Sequence, residues 1–249
     1  MVSTLAALCF DAQDPAVVGQ FWAAVLGREL SADPTESPGA RGTVLAPGAA
    51  AQFPIRFRPT TEAKTAPNRF HFDLTSASPA DQQATVDRAV DHGARHIDIG
   101  QRPEEGHIVL ADPEGNEFCV IEPGNNFLRD TDPIGGLAGD GSQQVGYFWA
   151  EVLGWPLVWD QDEETAIQSP QGGTKITWGG PPVAPKEGLA RVRFELAVAG
   201  DTAALDAEIA RLLALGAHRL PPDAVRPADV ADGVVLVDPD GNEFSLRTA

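Results

Sequence analysis

The sequence predicts an α+β protein of two tandem domains, each built from two paired β-α-β-β-β units. Three observations carry this. Four phrases recur in the same order, 122 to 127 residues apart: "FWAAVLGREL" (21–30) and "FWAEVLGWPL" (148–157), "HFDL" (71–74) and "RFEL" (193–196), "HGARHI" (92–97) and "LGAHRL" (215–220), "VLADPEGNEFCV" (109–120) and "VLVDPDGNEFSL" (235–246). Within each half, the order of a strand, a capped helix and several short strands occurs twice. Between the halves lies "PGNNFLRDTDPIGG" (123–136), rich in turn-forming residues.

The elements follow in order. "TLAALCF" (4–10) reads as a strand. Asp14-Pro15 supplies an N-cap and a proline at the first helical position. Val17, Val18, Phe21, Trp22, Val25 and Leu26 keep helical spacing, and Gly27 sits where a helix closes. "TVLAP" (43–47) and "QFPIRFRP" (52–59) read as strands. The second unit repeats the scheme. "RFHFDLT" (69–75) is a strand, Ser78-Pro79 opens a helix closed by Gly93, and "ARHIDI", "HIVLAD" and "EFCVIE" are strands. Asp112-Pro113-Glu114-Gly115 has the composition of a tight turn, so the repeated phrase is the final hairpin of each half. The third and fourth units place helices near 142–153 and 202–215, and "DPIGGLAGDG" (132–141) is a glycine-rich, degenerate first strand. Residues 1–123 and 137–249 are the expected domains, with 124–136 as linker and degenerate strand.

Composition narrows the function classes. A formal net charge of −18 argues against binding a phosphate backbone or an anionic membrane surface. No apolar run approaches the roughly 18 residues of a spanning helix, and the N-terminus reads as a strand with no basic leader. Two cysteines, Cys9 and Cys119, make no disulfide framework. The expectation is a cytoplasmic protein, monomer or homodimer, whose partner is a small molecule rather than nucleic acid or membrane.

Four such units, with "FW..VLG" and a terminal "DP.GNEF" in each half, resemble the vicinal oxygen chelate superfamily, in its glyoxalase-like branch of tandem-domain actinobacterial type. Glyoxalase I, extradiol dioxygenases, fosfomycin resistance proteins and bleomycin-binding proteins belong there. The resemblance implies two tandem glyoxalase-like domains whose curved sheets form open cups that bind ligands. Metal-dependent members carry His, Glu or Gln on the first and last strands of their units. The matching positions here are Ala7, Arg56 or Phe57, His71 and Cys119 in the first half, and about Ile134, Thr177 or Trp178, Arg193 and Ser245 in the second. That set serves a divalent metal poorly, so no cofactor is expected. A duplicated chain can close both cups internally, as a dimer of single domains would.

Strand alternation places Cys9 on the face of Ala7, so Cys9, His71 and Cys119 would share one cup and form the alternative metal set, three donors of the kind zinc accepts. Against it, free cysteine is most often a buried apolar filler. His71 beside Cys119 is also the candidate catalytic pair, with histidine lowering the thiol pKa. His71 alone suits an anchor or acid/base role. Glu117 and its repeat Glu243 read either as ligand contacts or as acceptors for a neighbouring loop. Trp22 and Trp149 occupy matched core positions, whereas Trp155, Trp159 and Trp178 cluster in the second half. The expected ligand-binding set is His71, Cys119, Glu117, Trp178, Arg193 and Ser245. The expected function is a small-molecule-binding protein of sequestration or resistance type with a largely lost metal site. The alternative is a glyoxalase- or dioxygenase-like enzyme using a reduced metal site or His71 acid/base chemistry.

Overall fold

The computed structural model describes residues 3–34, 41–48, 52–102, 104–131, 133–221 and 233–249. Asp132, at the start of the glycine-rich strand, lies outside the described residues. Local chemistry works as the sequence indicates. Asp14 Oδ1 accepts the Ala16 and Val17 N–H groups (3.1 and 3.2 Å), and Gly27 ends the first helix in the left-handed conformation. Ser78, Ser142 and Asp201 cap the other three helices.

Unit one comprises β1 (Thr4–Ala12), α1 (Pro15–Leu26), β2 (Leu30–Ala32), β3 (Thr43–Leu45) and β4 (Ile55–Pro59). Unit two comprises β5 (Phe70–Leu74), α2 (Pro79–Asp91), β6 (Arg95–His96), β7 (Ile108–Ala111) and β8 (Glu117–Val120). Unit three has β9 (Ile134–Gly139), α3 (Gln143–Leu153), β10 (Leu157–Gln161), β11 (Glu164–Gln168) and β12 (Lys175–Trp178). Unit four has β13 (Val192–Val198), α4 (Thr202–Ala214), β14 (His218–Arg219), β15 (Val234–Val237) and β16 (Glu243–Thr248). The strand expected over "ARHIDI" shrinks to Arg95–His96, which pair with Ala111 and Leu110, with one further bond from Ile97 N–H to Val109 O (3.3 Å).

Each half centres its packing on one tryptophan within a core continuous across the halves, where the Phe70 and Phe194 rings meet at 5.2 Å. Trp22 on α1 lies between Phe72 of β5 and Phe118 of β8, with ring centroids 5.0 Å from each, and its Nε1–H donates to buried Asp112 Oδ2 (3.3 Å). Trp149 repeats this with Phe194, Phe244 and Asp238. The hairpin turns reach back to the first unit of their half: Glu114 accepts the Gln13 and Asp14 N–H groups, and Asp240 accepts Ser142 N–H and Oγ–H.

The sheets are shared between halves. One eight-stranded sheet, sheet A, runs β14-β15-β16-β13-β1-β4-β3-β2, and sheet B runs β10-β11-β12-β9-β5-β8-β7-β6. Unit one therefore joins unit four through the antiparallel β1–β13 seam, and unit two joins unit three through β5–β9. Two arginines clamp the halves reciprocally. Arg69 bonds Asp140, Asn242 Oδ1 and Ala184 O of the second half, and Arg191 bonds Glu114, Glu62 O and Asp11 O of the first.

The degenerate glycine strand is in fact the inner strand β9 at that seam. A Cβ at Gly139 would lie 2.6 Å from the Phe70 ring, so the seam excludes a side chain there. Gly146 on α3 makes the same point, since a Cβ there would meet Thr165 Oγ1 at 1.9 Å. Gly146→Ala is thus expected to destabilise by about 1–3 kcal/mol through overpacking, despite alanine's better helix propensity. A lowered urea midpoint checks this; a raised one would show that propensity wins.

Candidate functional site

Strand alternation divides each sheet into a core face and an outer face. Leu8, Phe10, Phe57, Phe72, Phe118, Ile176, Phe194 and Phe244 are buried in the core. The outer faces carry the polar residues and are where the resemblance places the cups. The two differ in chemistry.

On sheet A the ladder pairs Cys9 with Arg56 and Arg193, Ala7 with Glu195, and Glu195 with Ser245. Glu195 is 1% exposed. Arg56 Nη1 donates to both of its oxygens (2.8 and 2.7 Å), and Arg247 Nε donates to Oε1 (2.7 Å). The Cys9 thiol donates to Oε2 (3.3 Å). Arg193 forks onto Asp11 through two bonds of 2.7 and 3.0 Å. Burial first, then the Glu195 charge, pushes the Cys9 thiol pKa up. Two guanidinium groups, Arg56 and Arg193, thus stand on positions that would hold a cation, and the one central carboxylate is consumed by Arg56 and Arg247. A divalent metal does not fit this face.

On sheet B, one rung across four strands reads Cys119, Asp73, Gly136, Lys175, and the next reads His71, Ala138, Thr177. His71 Nε2 lies 3.4 Å from Asp73 Oδ1, and its side chain is 36% exposed. One donor atom from each of His71, Asp73 and Cys119 lies within 4.8 Å of the others. Gly136 faces Asp73 at this rung, and a Cβ there would make ordinary contact with Asp73 Oδ2 at 3.4 Å. Opposite, the Lys175 ammonium bonds Phe127 O and sits 4.8 Å from the centre of the Phe127 ring. Its pKa is lowered by burial, against a raising influence from Asp130. Trp159 stacks edge-on to Phe127 at 6.0 Å and is partly exposed.

This geometry corrects several expectations. Cys9 does not join His71 and Cys119: the seam puts β1 in sheet A and β5 and β8 in sheet B. The third member of the sheet B group is Asp73, two residues from His71 on the same face and legible from alternation alone. Trp178 lines no cup, being fully buried in the core, and Thr177 holds the outer position. Ile134 likewise faces the core. Glu117 pairs with Lys64 and accepts Asn68 N–H (3.3 Å), just as Glu243 pairs with Lys186 and accepts Ala190 N–H (3.0 Å). Both glutamates anchor the segment that leads into the first strand of their own unit. Arg193 is tied to Asp11, and Ser245 lies beside Glu195.

The thiol-nucleophile reading also fails on charge. Burial, then the Asp73 carboxylate and its hydrogen bond, raise the Cys119 pKa, so the protonated form is favoured where a nucleophile needs thiolate. Both cysteines are expected to alkylate with iodoacetamide at pH 8 slower than free cysteine by about tenfold or more. Mass spectrometry of timed aliquots checks this, and rapid labelling of Cys119 would reinstate the thiolate.

The profile of the family described as "Glyoxalase-like domain" matches residues 7–121 and again 138–247. The chain belongs to the glyoxalase-like domain family. The fold of this glyoxalase-like protein is also that of glyoxalase I from Zea mays, at 15% identity and TM-score 0.63, with 98% of this chain and 92% of that one covered. A putative dioxygenase from Bacillus subtilis subsp. subtilis str. 168 matches at 13% identity and TM-score 0.61, covering 99% and 85%. At these identities the likeness is one of fold. No curated protein matches the sequence. No helix among the described residues is long and apolar enough to cross a membrane.

The family's metal chemistry can be tested on sheet B as well. His71, Asp73 and Cys119 offer one nitrogen, one oxygen and one sulfur from a single side. Across the seam Gly136 and Ala138 bring no side-chain donor atom, Thr177 brings only a neutral hydroxyl that donates to Thr165 O (3.0 Å), and Lys175 brings positive charge. A hard divalent ion needing several oxygen donors does not fit.

Proposed function

We propose that this glyoxalase-like protein binds a small molecule on the outer face of sheet B, without the metal grip of its metal-dependent relatives. The observation that carries the reading is the contrast between equivalent positions of the two sheets. On sheet A they are locked into buried ion pairs around Glu195. On sheet B they leave a part-exposed imidazole, a carboxylate beside it and an ammonium across the seam, with Phe127 and Trp159 at the side. Such a face offers donors, an acceptor and aromatic walls to an organic ligand. His71 then anchors the ligand, and Asp73 orients its ring.

A second reading is favoured by the His71–Asp73–Cys119 cluster, whose donor atoms lie within 4.8 Å of one another: a three-donor zinc site, or proton transfer by His71 in an enzyme of the glyoxalase or dioxygenase kind. Elemental analysis of protein purified without chelator separates binding from the zinc site, and turnover lost in His71→Gln would mark proton transfer. The binding reading expects substoichiometric metal, and His71→Ala then lowers affinity for whatever organic molecule co-purifies. Stoichiometric metal that disappears in His71→Ala would overturn it.

A further inference from the structure

Among the described residues each sheet ends in two open edges, β14 and β2 on sheet A, β10 and β6 on sheet B. Three of them are blunt. β6 and β14 are two residues long, Arg95–His96 and His218–Arg219, and β2 spans only Leu30–Ala32. Short or charged edges discourage the pairing of foreign strands. β10 departs from this pattern: its five residues are all exposed, and Leu157, Val158 and Trp159 stand in sequence. The duplication sharpens the contrast, because Ser31 and Ala32 of β2 occupy the places that Val158 and Trp159 hold in β10. β10 pairs with β11 on one side, and its other side pairs with no strand among the described residues.

Charge narrows the partner. β10 runs into a hairpin turn at Asp162 and Glu163, both in the left-handed conformation (φ 53° and 66°), where Asn-Gly is the usual choice. Asp160, Asp162, Glu163 and Glu164 therefore gather at one end of the edge. Gln143 and the Tyr147 hydroxyl hold Asp160 there (2.9 and 3.0 Å), and none of the four carboxylates is in an ion pair among the described residues. Apolar side chains followed by unmatched carboxylates suit a strand that alternates apolar and basic residues.

A second copy of the chain fits less well. It would bring the same four carboxylates and a formal net charge of −18. Five residues fall far short of the roughly 20–30 per side of a standard interface. The register with β11 also shifts between Leu157 and Trp159. Such a bend hinders two rigid edges from aligning, whereas a free segment follows it.

We infer that the open edge of β10 takes up an extended segment of another protein, alternating apolar and basic residues, as an added outer strand of sheet B. The backbone of the segment bonds β10, its apolar side chains meet Leu157, Val158 and Trp159, and its cations face the acidic turn. The inference goes beyond the small-molecule reading and does not rest on it.

Fluorescence anisotropy of a labelled peptide alternating valine and lysine, titrated with the full chain, tests it. Binding is expected. Two control peptides should bind at least about tenfold more weakly: one with glutamate for lysine, which loses the charge match, and one with proline for its central valines, which loses backbone donors. Raising NaCl from about 50 to about 500 mM should weaken the lysine peptide severalfold, because the carboxylates are exposed. Val158→Ser combined with Trp159→Ala gives β10 the side chains of β2 and should weaken it by about fivefold or more. Asp162→Asn combined with Glu163→Gln should narrow the gap between the lysine and glutamate peptides. Unfolding midpoints of both double variants control for folding. No binding of the lysine peptide, equal binding of the lysine and glutamate peptides, undiminished binding of the proline form, or indifference to Val158→Ser with Trp159→Ala would overturn the inference. A concentration-dependent dimer in light scattering, abolished by that same pair, would also overturn it by making a second copy the occupant.

Discussion

Replacing Glu195 with alanine is expected to cost about 3–5 kcal/mol of folding stability, because it strands two guanidinium groups that it neutralises. The carboxylate is 1% exposed and takes three bonds from Arg56 and Arg247 on sheet A. Without it, Arg56 keeps only the longer 3.7 Å approach to Asp33 among its described ion pairs. Urea unfolding at constant slope measures the loss. Replacing all three residues together by apolar side chains should cost less than Glu195→Ala alone, since buried ion pairs bring little net stability over well-packed hydrophobes. Ligand binding that depends on His71 should be untouched in Glu195→Ala. An unchanged midpoint would mean that water reaches the arginines and that sheet A's outer face is open.

Trp22→Ala is expected to cost about 3–5 kcal/mol as a large-to-small core change. The side chain is 1% exposed, meets Phe21, Phe72 and Phe118 at 5.0–5.1 Å, and is the bolt between unit one and unit two. Trp22→Phe keeps most of that packing and loses the bond to Asp112, so a smaller cost of about 1–3 kcal/mol follows from leaving a buried acceptor short of a donor. Trp149→Ala should match Trp22→Ala, because its environment repeats with Phe194, Phe244 and Asp238. A large difference between the twins would show that the halves do not share one cooperative transition.

The repeats made the units legible. Caps, the closing glycines and the DPxG hairpins are local chemistry, and local chemistry recurs with the sequence. The seam is a tertiary choice between strand edges, so Cys9 seemed to belong with His71 while it lies in the other sheet. The register was uncertain by one residue at Thr177 or Trp178, and a one-residue slip exchanges core for surface. Asp73 and Glu195 went unread although alternation put each beside a chosen residue, His71 and Arg193. Neither stands on a ligand position of the family, so the resemblance carries no signal for them. The glycines of β9 read as degeneration, whereas Gly135 makes room for Thr75 and Gly139 for Phe70.

The way the sheets are shared sets an order of assembly on the nascent chain. Units two and three are neighbours in sequence, so sheet B can close as soon as β12 leaves the ribosome. Thr4 must wait for Ala197, 193 residues later, before β1 finds its mate. Until then β1 offers bare backbone groups along one edge, the kind of template that captures foreign strands. The long interval adds only about 1 kcal/mol of closure cost over the β5–β9 seam, yet a chain stalled before its fourth unit would carry that open edge into solution.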